Sequence, residues 1–187
     1  MLFRSSASDS LTGNLLANLL QGGAGNDTLA GAGGNDTLAG GIGDDNLQGG
    51  DGIDTVTYAA SAAAVVVNLG LGTATGDGSD SLSSVEAIIG SALADQITGD
   101  ALANTLTGGA GNDTLDGGLG NDTLLGGLGN DSLVGGGGLD TVSYAASATA
   151  VNASLAAGTA TGEGSDSFSG IANLTGSNLA EIGRAHV

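Results

Sequence analysis

Branched aliphatic residues recur at every ninth position in two stretches of the chain, residues 22–57 and 108–143. They are Leu29, Leu38, Leu47, Val56, Leu115, Leu124, Leu133 and Val142. In each nine-residue unit, glycine holds positions one and four, aspartate holds position six and the aliphatic residue holds position eight. Gly-x-Gly favours a tight turn, and the alternation after it favours a short strand. Each unit therefore predicts one turn and one strand, stacked as a solenoid.

A larger repeat is superimposed on the small one. A shift of 86 residues aligns residues 11–95 with residues 97–181 without a gap. The chain is therefore interpreted as two tandem modules, residues 6–95 with strong units at 22–57 and residues 96–181 with strong units at 108–143. Since the nine-residue register runs from one module into the next, we expect one continuous solenoid rather than two independent globules.

Weaker units precede each strong array. Asp9, Asn18, Asp95 and Asn104 occupy position six of these units, but the Gly-x-Gly pairs are missing. They are expected to preserve the fold and to bind a cation weakly or not at all. A helix over 15–20 (LLANLL) is the less favoured alternative, because leucine and alanine also favour helix.

The two irregular segments, residues 58–89 and 144–181, depart from the repeat. In the first, valine-rich Ala64–Leu69 predicts a strand, Gly70–Gly72 a turn and Thr73–Thr75 a short return strand. Residues 77–80 are expected to form a polar loop and residues 84–89 another strand. A short helix over residues 59–64 is the main alternative.

Composition and charge narrow the possible partners. The 187 residues include 38 glycines but no proline, cysteine or tryptophan, and the net charge is −18. Because the carboxylates are periodic and lack basic partners, they imply a cation as the partner and argue against nucleic acid. The longest nearly apolar run, Ala59–Leu71, is too short to span a bilayer, so no membrane span is expected.

The ends of the chain break the repeat chemistry. The only basic residues, Arg4 and Arg184, and the only histidine, His186, lie there. Both end sequences back-translate to a common sequencing-library adapter. We therefore expect residues 1–5 and 182–187 to be adapter read-through and the chain to be a fragment of a longer gene, and we assign no function to these three side chains.

The GGxGxDxUx units resemble the RTX (haemolysin-type) calcium-binding nonapeptide repeat family. This resemblance implies an all-β, right-handed parallel β-roll in which two units make one coil and Ca²⁺ ions lie in the turns between coils. Residues 18 apart then stack, so that Asp27 lies over Asp45 and Asp36 over Asp54. It also implies a secreted bacterial protein that the type I secretion machinery exports unfolded.

Carried over to this sequence, the family pattern makes carboxylates and turn carbonyls the calcium ligands. The predicted carboxylate ligands are Asp27, Asp36, Asp45, Asp54, Asp113, Asp122, Asp131 and Asp140. The predicted carbonyl donors are Gly23, Gly25, Gly34, Gly41, Gly43, Gly50, Gly52, Gly109, Gly111, Gly118, Gly120, Gly127, Gly129, Gly136 and Gly138. Ala32 replaces one such glycine, which predicts a strained turn. An all-oxygen ligand set suits calcium better than zinc or copper.

Acidic residues outside the nine-residue phase are expected to be solvated loop charges; they are Asp77, Asp80, Glu86, Glu163 and Asp166. Asp80 and Asp166 are the best candidates for ligands among them, because each recurs in both modules. Tyr58 and Tyr144, which follow the strong arrays, are interpreted as packing residues.

Catalysis is not expected within this chain. The sequence has no H-E-x-x-H, no G-x-S-x-G and no cysteine nucleophile. The predicted function is calcium binding that induces folding, because stacked carboxylates and a thin core leave little stability without metal. Two settings stay open: an accessory region of a secreted enzyme or toxin, and a structural or adhesive extracellular repeat protein.

Overall fold

The computed structural model describes residues 6–177, so both predicted read-through segments, 1–5 and 182–187, lie outside the described residues. Every regular element within this range is a β-strand. No helix in the described part of the chain is long and apolar enough to cross a membrane. The chain divides into two compact units, Met1–Ala92 and Leu93–Val187.

Strands of the first unit alternate between two sheets as the chain proceeds. They are β1 Ser10–Thr12, β2 Leu19–Ala24, β3 Thr28–Gly33, β4 Thr37–Ile42, β5 Asn46–Asp51, β6 Thr55–Thr57, β7 Val66–Asn68, β8 Thr73–Thr75, β9 Ser79–Ser83 and β10 Ala87–Ile89. One sheet has the order β1-β3-β5-β9-β8-β7 and the other β2-β4-β6-β10. The chain therefore visits each sheet once per coil, as a β-roll requires.

The second unit repeats this plan. Its strands are β11 Gln96–Thr98, β12 Thr105–Ala110, β13 Thr114–Asp116, β14 Thr123–Leu128, β15 Ser132–Val134, β16 Asp140–Ser143, β17 Asn152–Ser154, β18 Thr159–Thr161, β19 Ser165–Ser169 and β20 Ile171–Thr175. Within this unit one sheet runs β11-β13-β15-β19-β18-β17 and the other β12-β14-β16-β20.

The register of the parallel strands is the one that two nine-residue units per coil predict. Leu29 in β3 is paired with Leu47 in β5, and Leu20 in β2 with Leu38 in β4. In the second unit Leu115 is paired in the same way with Leu133. The predicted all-β parallel β-roll is confirmed.

The core of each unit is a narrow stack of the position-eight side chains. Leu29, Leu38, Leu47 and Val56 are completely buried in the first unit, and their counterparts in the second are at most 1% exposed. Because the side chains of a strand alternate between its two faces, the position-eight residue points inward while its neighbours in the strand face solvent. Each fully buried aliphatic side chain contributes roughly 1.5–3 kcal/mol, so a coil with two of them has only a thin core.

An antiparallel arm interrupts the parallel ladder of each unit. In the first unit β7 pairs with β8 and β8 with β9, both antiparallel, before β9 rejoins β5 in parallel. The predicted strands over 64–69 and 73–75 are observed as β7 and β8, and the predicted strand over 84–89 is reduced to β10. The alternative helices over residues 15–20 and 59–64 do not form. The predicted polar loop over 77–80 is wrong in part, because Ser79 and Asp80 open β9.

The Gly-x-Gly turns adopt a conformation that suits glycine. All the glycines that were predicted as carbonyl donors have a positive φ, from 93° at Gly118 to 149° at Gly52. Ala32 is forced into the same conformation, with a φ of 82°. Side chains with a Cβ are disfavoured there by roughly 1–2 kcal/mol, so the strain expected at Ala32 is present.

Exchanging the residues at this position between the two units tests the strain. The residue that corresponds to Ala32 in the second unit is Gly118, where an added Cβ would also clash with the carbonyl oxygen of Asp100. We expect Ala32→Gly to raise the free energy of unfolding by about 0.5–1 kcal/mol, after the extra chain entropy of glycine offsets part of the gain. We expect Gly118→Ala to lower it by more than about 1 kcal/mol. Urea unfolding in saturating calcium measures both, and equal effects of the two changes would contradict the explanation by strain.

Candidate metal centre

Acidic side chains of successive coils form two rows in each unit, and an asparagine begins one of the two. In the first unit, row A contains Asp9, Asp27, Asp45 and Asp80, and row B contains Asn18, Asp36, Asp54 and Glu86. In the second unit, row C contains Asp95, Asp113, Asp131 and Asp166, and row D contains Asn104, Asp122 and Asp140. Hydrogen bonds join the members of a row: the side-chain oxygen of each later member accepts one from the backbone N–H of the member before it.

The spacing of these hydrogen bonds is regular. The backbone N–H of Asp27 donates to Oδ1 of Asp45 over 2.8 Å, and that of Asp36 donates to Oδ1 of Asp54 over 2.8 Å. In rows C and D the corresponding distances from Asp113 to Asp131 and from Asp122 to Asp140 are both 2.9 Å. The weaker units begin the rows in the same way: Asn18 donates to Asp36 over 2.7 Å. The stacking of residues 18 apart is therefore observed.

The position-six carboxylates point into the interior, as the position-eight leucines do. Asp27, Asp36, Asp45 and Asp54 are at most 3% exposed. The glycine at position one of the same unit makes room for each of them. A Cβ on Gly22 would clash with Oδ2 of Asp27, and it would also meet the carbonyl oxygen of Gly40 in the next coil. The first glycine is thus needed for space, and its carbonyl is a nearby oxygen that the sequence analysis did not name.

The second oxygen of every strong carboxylate is buried without a hydrogen-bond partner. Such Oδ2 atoms occur at Asp27, Asp36, Asp45, Asp54, Asp113, Asp122, Asp131 and Asp140. These are the eight carboxylates that the sequence singled out. An unpartnered buried carboxylate oxygen is costly, and buried charges are normally paired or bound to metal. The repetition of one orphaned atom in every strong unit therefore indicates that a cation is the partner of these oxygens.

Burial makes several of these groups resist ionisation. It raises the pKa of Asp45 from 3.8 to about 6, although the hydrogen bond from the backbone of Asp27 acts in the opposite direction. The pKa of Asp131 is raised to about 6 for the same reason, and nearby carboxylates add to the effect at both sites. Burial also raises the pKa values of Asp113 and Asp122. Without a cation, the folded chain holds these charges at a free-energy cost.

Turn carbonyls supply further oxygens. The carbonyl oxygens of Gly23 and Gly25 lie directly against Gly41 and Gly43 of the next coil, where an added Cβ would meet them. Gly34, Gly43, Gly109, Gly111, Gly118, Gly120 and Gly129 show the same contact with the coil that follows them. Gly136 lies near Gly170 instead. The same turn conformation is shared by Gly41, Gly50, Gly52, Gly127 and Gly138.

The donor set fits a hard cation that accepts backbone oxygens. Among residues 6–177 no group of three or more His, Cys, Asp or Glu side chains is placed to hold a metal ion. Side chains alone therefore do not make a site, and carbonyls have to complete it. Calcium takes 6–8 oxygen ligands in flexible geometry, whereas magnesium demands a near-ideal octahedron. Aspartate carboxylates with turn carbonyls are thus a calcium-type ligand set.

Position five carries a second row that the sequence analysis missed. Oδ1 of Asn26 accepts a hydrogen bond from the backbone N–H of Asp44 over 3.0 Å, and Oδ1 of Asn112 accepts one from Asn130 over 2.8 Å. Each such bond satisfies an N–H in the turn of the next coil and so holds adjacent turns together. The signal was present in the sequence, because asparagine precedes the position-six aspartate in most strong units.

The prediction that Asp80 and Asp166 are solvated loop charges is wrong. They are 5% and 4% exposed. Their Oδ1 atoms accept hydrogen bonds from Asp45 and Asp131 over 3.0 and 3.1 Å, so they continue rows A and C. Glu86 is half-buried and continues row B in the same way, with Oε2 2.9 Å from the backbone nitrogen of Asp54. The antiparallel arm is inserted before these residues and shifts them out of the nine-residue phase. Spacing along the sequence therefore did not predict that they belong to the rows.

The remaining acidic residues outside the nine-residue phase and the position-six residues of the weaker units are buried to different degrees. Asp77 and Glu163 are half-buried in the turns before β9 and β19, and the Asp77 carboxylate accepts a hydrogen bond from Oγ of Ser61 over 2.8 Å. At the starts of the rows, Asp95 and Asn104 are buried, whereas Asp9 and Asn18 are half-buried. The expected packing role fits Tyr58 and Tyr144, which are 5% and 3% exposed.

Comparison with known families agrees with this geometry. The RTX calcium-binding nonapeptide repeat, represented as four copies, matches residues 5–38, 12–47, 39–57, 89–124 and 118–146. These matches together cover more than half of the chain and include all eight strong units. A comparison with curated proteins gives no match. The repeats, the parallel β-roll and the rows of buried carboxylates lead to one conclusion: the chain belongs to the RTX calcium-binding nonapeptide repeat family.

Proposed function

We propose that the chain binds several Ca²⁺ ions inside the turns of its two units and that this binding drives its folding. The observation that carries the proposal is the set of eight buried, unpartnered Oδ2 atoms in rows A to D. The eight position-six aspartates supply the carboxylate ligands, and the position-two and position-four glycines supply carbonyl oxygens. A bound cation balances carboxylates that otherwise repel one another within each row.

The setting that suits this behaviour is outside the cell. Extracellular calcium modules work at about 10⁻⁴–10⁻³ M calcium. A chain that is unfolded where calcium is scarce and folds where it is abundant suits export through type I secretion machinery, as in the family. The repeats are structural calcium-binding repeats, and we propose that this chain is a non-catalytic region of a secreted protein.

Titration calorimetry tests the binding. We expect Ca²⁺ to bind with a stoichiometry of several ions per chain and with a large heat, because folding accompanies binding. Mg²⁺ at the same concentrations should give little heat, because it keeps its waters and needs stricter geometry. Equal heats and stoichiometries for the two ions would reject a calcium-specific site.

A further inference from the structure

We propose that Tyr58 and Tyr144 end rows A and C. Each donates a hydroxyl hydrogen bond to the carboxylate oxygen where a cation would otherwise bind, and so limits how many calcium ions its unit holds. This inference rests on the proposed function. It assigns to Asp80 and Asp166 the role of metal-free end groups, although both belong to the carboxylate rows by position.

The turn before Asp80 docks on the preceding coil as an ordinary repeat turn does. The backbone N–H of Gly43 donates to the carbonyl of Asp77 over 3.1 Å, as that of Gly25 donates to Ile42 over 2.8 Å one coil earlier. The backbone N–H of Ser79 donates to Oδ1 of Asp44 over 2.8 Å, which continues the position-five row. Residues 75–83 (TGDGSDSLS) thus form a further unit, as do residues 161–169 (TGEGSDSFS).

These units lack the glycine at position one. Thr75 and Thr161 stand there, at the ends of the antiparallel strands β8 and β18. Elsewhere a position-one glycine makes room for the carboxylate and places its carbonyl near the orphaned oxygen of the preceding coil, as Gly40 does for Asp27. At the last step of row A, the nearest atoms to a Cβ on Gly40 all belong to the side chain of Asp45. At this step the carboxylate of Asp45 is thus nearer to Gly40 than any carbonyl oxygen of the following coil.

A tyrosine hydroxyl donates a hydrogen bond to the second oxygen of each terminal carboxylate. Oη of Tyr58 donates to Oδ2 of Asp80 over 2.9 Å, and Oη of Tyr144 donates to Oδ2 of Asp166 over 2.8 Å. All four groups are buried. The corresponding Oδ2 atoms of Asp45 and Asp131, one coil earlier, have no partner. The same contact in both units shows that the satisfied oxygen is a repeated feature of the row ends.

Matched asparagine substitutions test the proposal. Asp80→Asn with Asp166→Asn keeps an oxygen for the backbone N–H of Asp45 and Asp131 and places an amide N–H where it can donate to the tyrosine oxygen. We expect this pair to bind as many Ca²⁺ ions as the wild type. The control pair, Asp45→Asn with Asp131→Asn, alters orphaned oxygens and should bind fewer. Bound calcium is counted by elemental analysis after gel filtration in calcium buffer.

Two results would overturn the inference. A loss of calcium from the Asp80/Asp166 pair equal to that of the control pair would make the terminal aspartates ligands. Tyr58→Phe with Tyr144→Phe should lower the thermal midpoint, because Oδ2 of each terminal aspartate loses its donor, and should raise the calcium count, because that oxygen is then free to bind a cation; a calcium count that does not rise would also overturn the inference. If the wild type itself bound no calcium, the proposed function would fail instead, so the two failures are distinguishable.

Discussion

In excess chelator at pH 7, we expect the chain to lose its β-sheet circular dichroism, and millimolar calcium to restore it. The eight orphaned carboxylate oxygens are buried in the fold, while the core that must hold them contains few large side chains. Ordering the backbone costs roughly 1–2 kcal/mol per residue, so a thin core with stacked charges is not expected to fold alone. The free energy of metal binding then becomes folding free energy. A full β-sheet spectrum that persists in excess chelator would refute this explanation.

Acidification of the calcium-free chain separates charge repulsion from a specific need for metal. The pKa of Asp45 and of Asp131 rises from 3.8 to about 6 on folding. Between pH 3.8 and about pH 6 the folded chain binds more protons than the unfolded chain. The free energy of unfolding therefore falls as the pH rises through this window. In the absence of calcium we therefore expect β-structure to increase as the pH falls from 7 towards 5. Calcium affinity should fall over the same range, because protons compete for the same carboxylates.

The second large effect is expected at Asp36 and Asp122, which occupy matching positions in rows B and D. Asp36→Asn keeps the acceptor for the backbone N–H of Asn18, 2.7 Å away, but replaces the orphaned oxygen with an amide nitrogen that cannot bind a cation. The double change of Asp36 and Asp122 to asparagine should raise the calcium concentration at the folding midpoint by at least about tenfold, since even changes outside the ligand shell cost that much at metal sites. Circular dichroism during a calcium titration measures the shift.

Two further variants give this experiment its controls. Asp51→Asn removes one charge from an exposed residue that lies outside the rows; its match is the single change Asp36→Asn, and we expect Asp51→Asn to leave the midpoint nearly unchanged. Asp36→Ala removes both oxygens and leaves the backbone N–H of Asn18 unpaired. At saturating calcium its thermal midpoint should lie below that of Asp36→Asn. An Asp51 variant as impaired as the single Asp36→Asn variant would attribute the effect to net charge instead.

Much of the candidate site follows from counting residues along the chain. The nine-residue period places an inward-facing aspartate at or just before the start of each strand and an inward-facing aliphatic residue two positions later, and two periods make one coil, so that Leu29 pairs with Leu47. These relations are local and repeat without interruption, so spacing is sufficient to predict them. The same spacing identified all eight carboxylates whose second oxygen is orphaned.

The position-one glycines and the position-five asparagines show what sequence spacing alone does not predict. Both recur in the sequence, but their roles depend on contacts between parts of the chain that spacing does not reveal. Gly22 matters because the carboxylate of Asp27 folds back against it, and Asn26 because its side chain reaches Asp44 in the next coil. A recurring residue thus indicates that its position is constrained, but it does not identify the contact that constrains it.

The sequence by itself determined the repeat, the β-roll and the identity of the strong carboxylates, because each of these depends on an unbroken period. Only the tertiary structure decided where the rows end. Asp80 lies 35 residues after Asp45, but the antiparallel arm between them folds out of the ladder, so Asp80 still takes the next place in row A. There Tyr58 donates a hydrogen bond to the second oxygen of Asp80. An insertion breaks the count along the chain but leaves the hydrogen bonds between coils intact, so position in a row is a property of the folded ladder rather than of sequence spacing.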